Sequence, residues 1–232
     1  MNTTSHHQLS RNQLLKIVFA RLIVAIPALF AMLFLSAGTF AYWEAWAYLA
    51  TLLTPIWLIL KYLLKHDPVL LERRMRLKEK EAAQKLILAL AFVCFFLAFL
   101  LPGLDKRFEW SHVPIAAVIV ADVFVLLGYG IVFLVFRENP HASRIIEVEP
   151  GQVVVSSGPY AIVRHPMYLG QSLIFIFSPL ALGSYWAMIP ALGIILLLVA
   201  RILNEERVLA KGLKGYPEYM QKIGYRLIPG IW

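Results

Sequence analysis

Long apolar stretches separated by short polar segments dominate this sequence. A membrane-spanning helix needs about 20 predominantly apolar residues. Four stretches meet that length, at about 15–38, 45–64, 86–104 and 113–136. Two shorter stretches, at about 169–183 and 185–203, are divided only by the residues GSYW. Backbone polar groups inside lipid must be satisfied within their own segment, which favours helices. The pattern therefore predicts an all-α, polytopic integral membrane protein with about six transmembrane helices.

Composition agrees with a protein that lies largely in lipid. Hydrophobic residues make up 60% and charged residues 16% of the 232 residues. A soluble domain has about 45–50% apolar and about 25% charged residues. The single cysteine, Cys94, lies inside an apolar stretch, so we expect neither an intrachain disulfide nor a metal site.

The distribution of charge predicts the orientation of the spans. The net charge is +8, but the basic residues lie beside apolar stretches, where anionic lipid headgroups attract them, so we expect membrane lipids and no nucleic acid as partners. Both the connection after the second stretch and the tail after Arg201 are rich in Lys and Arg. The positive-inside rule then places both termini, and the connections after the second and fourth stretches, in the cytoplasm. The basic residues of the second connection are Lys65, Arg73, Arg74, Arg76, Lys78, Lys80 and Lys85.

The connection at 137–168 carries most of the candidate chemistry. It runs into the sequence GPYAIVRHPMYLG, residues 158–170. The two prolines of this sequence fix φ and bias the preceding residues away from helix, and Gly158 permits backbone angles that other residues avoid. The sequence therefore predicts a rigid turn that presents His165 and Tyr168 together at the cytoplasmic face.

A second polar element, ARILNEERVL, follows where the last apolar stretch ends. Its Arg201 and Glu205 are four residues apart, so they share one face of a helix. The next two residues, Glu206 and Arg207, are expected to be solvated. The tail, YPEYMQKIGYRLIPGIW, is rich in Tyr and basic residues and is predicted to fold back as a lid. Spacing alone indicates a polar cluster at one face and no particular reaction.

The pairing of GPYAIVRHPMYLG with RILNEERVL resembles the isoprenylcysteine carboxyl methyltransferase family, within the wider group that includes membrane phospholipid methyltransferases. The resemblance covers about residues 100–232 and includes DKRFEW and RENPHASRIIEVEPGQVVVSSGPY. The first two spans carry no motif of this kind. We therefore expect one membrane domain, 1–232, with N-terminal spans and a basic loop in 1–85 and a methyltransferase-like core in 86–232.

The resemblance implies an S-adenosylmethionine-dependent methyltransferase that binds its cofactor without a Rossmann domain. It implies that Arg201 contacts the methyl acceptor as the catalytic residue, and that Glu205 helps to hold the cofactor. A lipophilic acceptor entering from the bilayer is expected, and a carboxylate is favoured because it is ionised at neutral pH and needs no general base. The other cofactor contacts that the resemblance implies are Gln152, Val153, Val154, Val155, Tyr160, His165, Pro166, Met167 and Tyr168.

Two other functions fit parts of the sequence. The ending YRLIPGIW looks similar to membrane sterol reductases, which use NADPH but are longer and lack the full RHPMY core. A transporter would place polar residues near the midplane of the membrane, whereas this polar cluster lies at one face. For a methyltransferase, lipid amines, small thiols, and quinone-like or terpenoid acids stay open as acceptors.

Overall fold

Helices make up most of the described chain. The computed structural model describes residues 9–75, 82–146, 148–149 and 151–232. Over these residues the chain has eight α-helices and no strand, which confirms the prediction of an all-α, polytopic membrane protein. The helices are α1 (Arg11–Phe30), α2 (Trp43–His66), α3 (Pro68–Met75), α4 (Ala82–Phe108), α5 (Ile115–Glu138), α6 (Pro166–Ala181), α7 (Met188–Gly212) and α8 (Tyr216–Lys222).

Every predicted apolar stretch is a helix. Of the described helices, α2, α4, α5, α7 and α1 with its π-helical continuation to Leu35 are long and apolar enough to cross a membrane. Helix α6 has 16 residues, which corresponds to about 24 Å and is shorter than the roughly 30 Å hydrocarbon core of a bilayer. Helix α7 is longer than predicted, because it continues as a polar helix to Gly212.

Contacts at its two ends show that α6 joins opposite faces of the helix bundle. Just beyond its C-terminal end, the Ser184 hydroxyl donates a hydrogen bond to the carboxylate of Asp105 (2.5 Å), near the end of α4. At its N-terminal end, the backbone N–H of His165 donates to the carbonyl of Arg226 in the tail (2.9 Å). Helix α6 therefore makes the sixth passage between the two faces, and it does so within the bundle.

Two glycines bring α5 and α6 together. A Cβ atom on Gly128 would lie 2.6 Å from the carbonyl oxygen of Gly170, and a Cβ atom on Gly170 would lie 2.7 Å from the carbonyl oxygen of Gly128. Contact this close is possible only where neither residue carries a side chain. The pair fixes α6, and with it the polar turn that precedes α6, against α5.

The basic connection after α2 contains a short helix that the sequence did not predict. Helix α3 buries two leucines and extends two arginines toward the connection between α5 and α6. The Nη2 atom of Arg73 lies 2.7 Å from the carboxylate of Glu149, and Nη1 of Arg74 donates to the carbonyl of Ser143 (3.1 Å). The N-terminal spans thus hold part of the core in place. Three further basic residues of this connection lie outside the described residues: Arg76, Lys78 and Lys80.

Candidate functional site

A cavity of about 530 Å³ lies at the face of the bundle where α6 begins. Its wall is built from the 139–155 segment, α6, the C-terminal half of α7 and the tail, with contributions from α3 and α4. All the site residues that the sequence predicted line this one cavity. They are Gln152, Val153, Val154, Val155, Tyr160, His165, Pro166, Met167, Tyr168, Arg201 and Glu205.

The turn before α6 holds Tyr160 at the cavity wall. A short 3₁₀ turn runs over Gly158–Ala161, and Gly158 has a φ of 54°, in the left-handed region that favours glycine. The Tyr160 hydroxyl accepts a hydrogen bond from Nδ2 of Asn139 (2.8 Å). Burial raises the pKa of Tyr160, so its hydroxyl stays protonated and can donate toward the cavity.

Arg201 and Glu205 lie on one helix face, as predicted, and the hydroxyl of Tyr168 joins them. The Nε atom of Arg201 donates to the Tyr168 hydroxyl (3.0 Å), which itself donates to the Glu205 carboxylate. The remaining guanidinium nitrogens donate to Oε1 of Gln84 and to the carbonyl of Arg144, each at 2.7 Å. Arg201 is only 7% exposed, so it positions buried polar groups and is not a boundary residue that reaches out to water.

The prediction that Glu206 is solvated is wrong. Its side chain is 4% exposed and is the centre of a buried charge network. One carboxylate oxygen accepts from Nε of Arg164 (2.8 Å) and lies 3.2 Å from Nε2 of His165. The other accepts from Nε of Arg226 (2.9 Å). Arg207 is exposed, as predicted. Successive helix residues point about 100° apart, so one acid of the pair faces the network and the other the cavity.

The tail folds back over the turn, as predicted. The backbone N–H of Arg164 donates to the carbonyl of Tyr225 (2.9 Å), and the backbone N–H of His165 donates to the carbonyl of Arg226. The hydroxyl of Tyr219 in α8 donates to the carbonyl of Tyr160 (2.8 Å). The tail is therefore a fixed wall of the cavity, held by backbone hydrogen bonds and by the Glu206 network.

Arginine side chains give part of the cavity wall a positive character. Arg74, Arg144 and Arg201 all line it. Burial, together with the neighbouring guanidinium groups of Arg144 and Arg201, lowers the pKa of Arg74 to about 10. Glu205 is the carboxylate among the described lining residues. Positive charge in a partly desolvated site favours the binding of an anionic group.

The other part of the cavity is apolar. Side chains of α4, α6 and α7 line it, and one of them, Phe92 of α4, is 69% exposed. The arrangement suits a ligand that has a polar end and a hydrocarbon chain. The apolar lining residues are Leu88, Ala91, Phe92, Phe95, Phe175, Ile194 and Leu198.

Sequence reasoning missed three charged residues of the site. The burial of Glu206 depends on Arg164 and Arg226, which are distant in sequence. The place of Arg74 depends on how α3 packs against a segment far away in the chain.

Residues 116–214 match the model of the phospholipid methyltransferase family. The match covers most of α5, the connection with the GPY turn, α6 and α7. It confirms the resemblance seen in the sequence, within the group of isoprenylcysteine and phospholipid methyltransferases, and it indicates a membrane methyltransferase.

A second similarity is to a sterol reductase. Over 135 residues the chain is 27% identical to a Delta(14)-sterol reductase of Methylotuvimicrobium alcaliphilum, which covers 53% of this chain and 31% of the reductase. The chain thus matches about a third of the length of this curated relative.

Proposed function

We propose that this chain, whose residues 116–214 belong to the phospholipid methyltransferase family, is a membrane methyltransferase that uses S-adenosylmethionine and methylates a carboxylate on a lipophilic acceptor. The observation that carries the proposal is the cavity. It collects every residue that the family resemblance assigns, and it joins a charged part to an apolar part whose lining includes the exposed Phe92.

The cavity suits the cofactor in size and in chemistry. Its volume of about 530 Å³ lies within the roughly 300–1,000 Å³ of small-molecule sites. Glu205 offers a countercharge, Tyr160 offers a hydroxyl donor, and the buried hydroxyl of Tyr216 has no hydrogen-bond partner among the described residues. Several valines and tyrosines supply apolar surface beside these groups.

Methyl transfer depends mainly on the relative position of the acceptor and the methyl group. When bound, S-adenosylmethionine supplies a methyl group on a positively charged sulfur atom. The chain's contribution is to hold the acceptor in line with that methyl group and to exclude water, which removes much of the entropic cost of the encounter. Glu205 is held by Tyr168, and Tyr168 by Arg201, so the countercharge has a fixed position.

Arg201 and Arg74 favour an anionic acceptor. A guanidinium group binds a carboxylate or phosphate through two parallel hydrogen bonds, whereas it repels a protonated amine. The apolar side chains between α4, α6 and α7 would accommodate the hydrocarbon part of such an acceptor, which enters from the bilayer. We therefore rank lipid amines behind acids as candidate acceptors.

Ligand titration tests the cofactor directly. We expect detergent-purified protein to bind S-adenosylmethionine and S-adenosylhomocysteine, and not NADPH, in calorimetric titrations. The similarity to a sterol reductase makes NADPH the required comparison. Binding of NADPH in place of the methyl donor would replace the methyltransferase proposal with a reductase.

Glu205→Gln is expected to weaken S-adenosylmethionine binding by roughly ten- to a hundredfold. The loss of one charged hydrogen bond costs about 1.5–3 kcal/mol, and Gln keeps the size of the side chain. Isothermal titration of the purified variant measures the change. Arg207→Ala, on the exposed side of the same helix turn, is the control. Unchanged affinity in Glu205→Gln would remove Glu205 from the cofactor site.

We also propose that the cavity faces the cytoplasm, because the basic connection and the basic tail both lie on its side of the bundle. Single cysteines at His112, in the turn after α4, and at Lys222, in the tail, are exposed positions on opposite faces. In a Cys94→Ser background, a membrane-impermeant maleimide is expected to label His112→Cys in right-side-out vesicles and Lys222→Cys in inverted ones. Labelling of both from one side would contradict this orientation.

A further inference from the structure

One recess of the cavity is lined by aromatic and aliphatic side chains. Leu213, Tyr216 and Tyr219 form a buried cluster where α7 meets α8, and Val154 packs against it. All four side chains line the cavity. Gly215 has a φ of 85°, which lets the chain turn sharply between the two helices and brings both tyrosine rings to the same wall.

The hydroxyl of Tyr216 is buried without a partner. The residue is 4% exposed, and its oxygen makes no hydrogen bond among the described residues. The neighbouring tyrosine behaves differently, since Tyr219 donates to the carbonyl of Tyr160 (2.8 Å). The centroids of the two rings lie 5.8 Å apart, with an angle of 50° between the ring planes. The two tyrosines therefore share an environment, but only the Tyr219 hydroxyl has a hydrogen-bond partner among the described residues.

A buried hydroxyl without a partner destabilises a fold, and it persists where a ligand completes it. The Tyr216 hydroxyl can act as a donor, because burial, followed by the negative charges of Glu205 and Glu206, raises its pKa and keeps it protonated. The missing partner is therefore a hydrogen-bond acceptor that lies beside an aromatic ring.

We propose that this recess binds the adenine ring of the cofactor and that the Tyr216 hydroxyl donates a hydrogen bond to a ring nitrogen. This inference rests on the methyltransferase function proposed above. Adenine has flat apolar faces and acceptor nitrogens along its edge, which match the rings, the aliphatic wall and the single donor. The charged amino-acid part of the cofactor suits the other groups of the cavity, Glu205 and the arginines.

Tyr216→Phe removes only the hydroxyl, so it separates binding from folding. The thermal midpoint of the ligand-free variant is expected to equal or exceed that of the wild type, because an unsatisfied polar atom is lost. Its affinity for S-adenosylhomocysteine is expected to fall by about three- to tenfold, the effect of one neutral hydrogen bond. Tyr225→Phe, with a side chain outside the cavity lining and 45% exposed, is the matched control and is expected to change neither quantity.

Methylthioadenosine, which lacks the amino-acid part of the cofactor, locates the contact. The wild type is expected to bind it, and Tyr216→Phe is expected to weaken it by the same factor as S-adenosylhomocysteine. Weakening confined to S-adenosylhomocysteine, unchanged affinity for both, or no binding of the fragment by the wild type would each overturn the adenine recess. A lower thermal midpoint in ligand-free Tyr216→Phe would also overturn it. Failure of the wild type to bind S-adenosylhomocysteine at all would instead overturn the proposed function, and this inference with it.

Discussion

Arg201→Ala is expected to reduce kcat/KM for methyl transfer at least thirtyfold. The guanidinium is proposed to hold the acidic group of the acceptor, and truncating one partner of a buried charged pair costs about 2–5 kcal/mol. From the sequence alone, cofactor affinity would be expected to stay nearly intact. In the structure, however, Arg201 donates to Tyr168, which in turn holds Glu205. We therefore expect cofactor affinity to fall as well, by up to about tenfold. Steady-state kinetics and ligand titration of the same preparation measure both.

Arg201→Lys tests whether binding of the acceptor needs the planar guanidinium group or only a positive charge. Lysine keeps the positive charge but lacks the planar fork of donors, so we expect partial activity. Lysine also cannot reach Tyr168, Gln84 and the Arg144 carbonyl at once, as the arginine does. Wild-type turnover in both Arg201→Lys and Arg201→Ala would rule out a role in the reaction. Loss of folding in Arg201→Ala would make the residue structural and place the acceptor elsewhere in the cavity.

Glu206→Ala is expected to detach the tail and to lower stability by about 3–5 kcal/mol, the range for removing one partner of a buried ion pair. The carboxylate holds Arg164 and His165, before α6, together with Arg226 in the tail. Without it, the buried guanidinium of Arg164 loses its countercharge. Thermal unfolding in detergent measures the loss of stability, and limited proteolysis is expected to cut the tail earlier than in the wild type.

Two further variants test whether the network is the cause. Arg207→Ala removes a charge from the next residue, which is exposed, and is expected to leave the thermal midpoint unchanged. Adding Arg226→Gln to Glu206→Gln is expected to cost less than the sum of the single changes, because the second change removes a charge that the first left unpaired. Strict additivity would show that the two side chains act independently.

The fold was largely predictable because its main determinant, hydropathy, is local. Each apolar stretch became a helix, and the charge pattern needed no knowledge of contacts between distant residues. Helix α3 was missed for the opposite reason, since its eight residues are too few for a periodic pattern and become helical against the bundle. The length of α7 was underestimated because its last turns are polar and are kept helical by contacts with the tail.

Only those residues of the candidate site that belong to a family motif could be predicted from the sequence. The structure brings those residues to one cavity, although neither their roles nor the cofactor follow from their proximity. Glu206 was expected in solvent because a charged residue after an apolar stretch is usually solvated, and its burial depends on Arg164 and Arg226, which are distant in sequence. Tyr216 carries no signal in the sequence at all, because its significance lies in a hydrogen bond that is missing.

The pairing of residues 164–165 with residues 225–226 bears on biosynthesis. The spans, including both helices that flank the site, emerge from the ribosome before the tail does. A nascent chain can therefore be fully inserted in the membrane while the cavity still lacks one wall and the buried arginine before α6 lacks its carbonyl partners. On the proposed function, ligand binding would then require residues 225–226 to have left the ribosome. Chains that stall during translation would be membrane-bound, ligand-free and open to cleavage at the GPY turn.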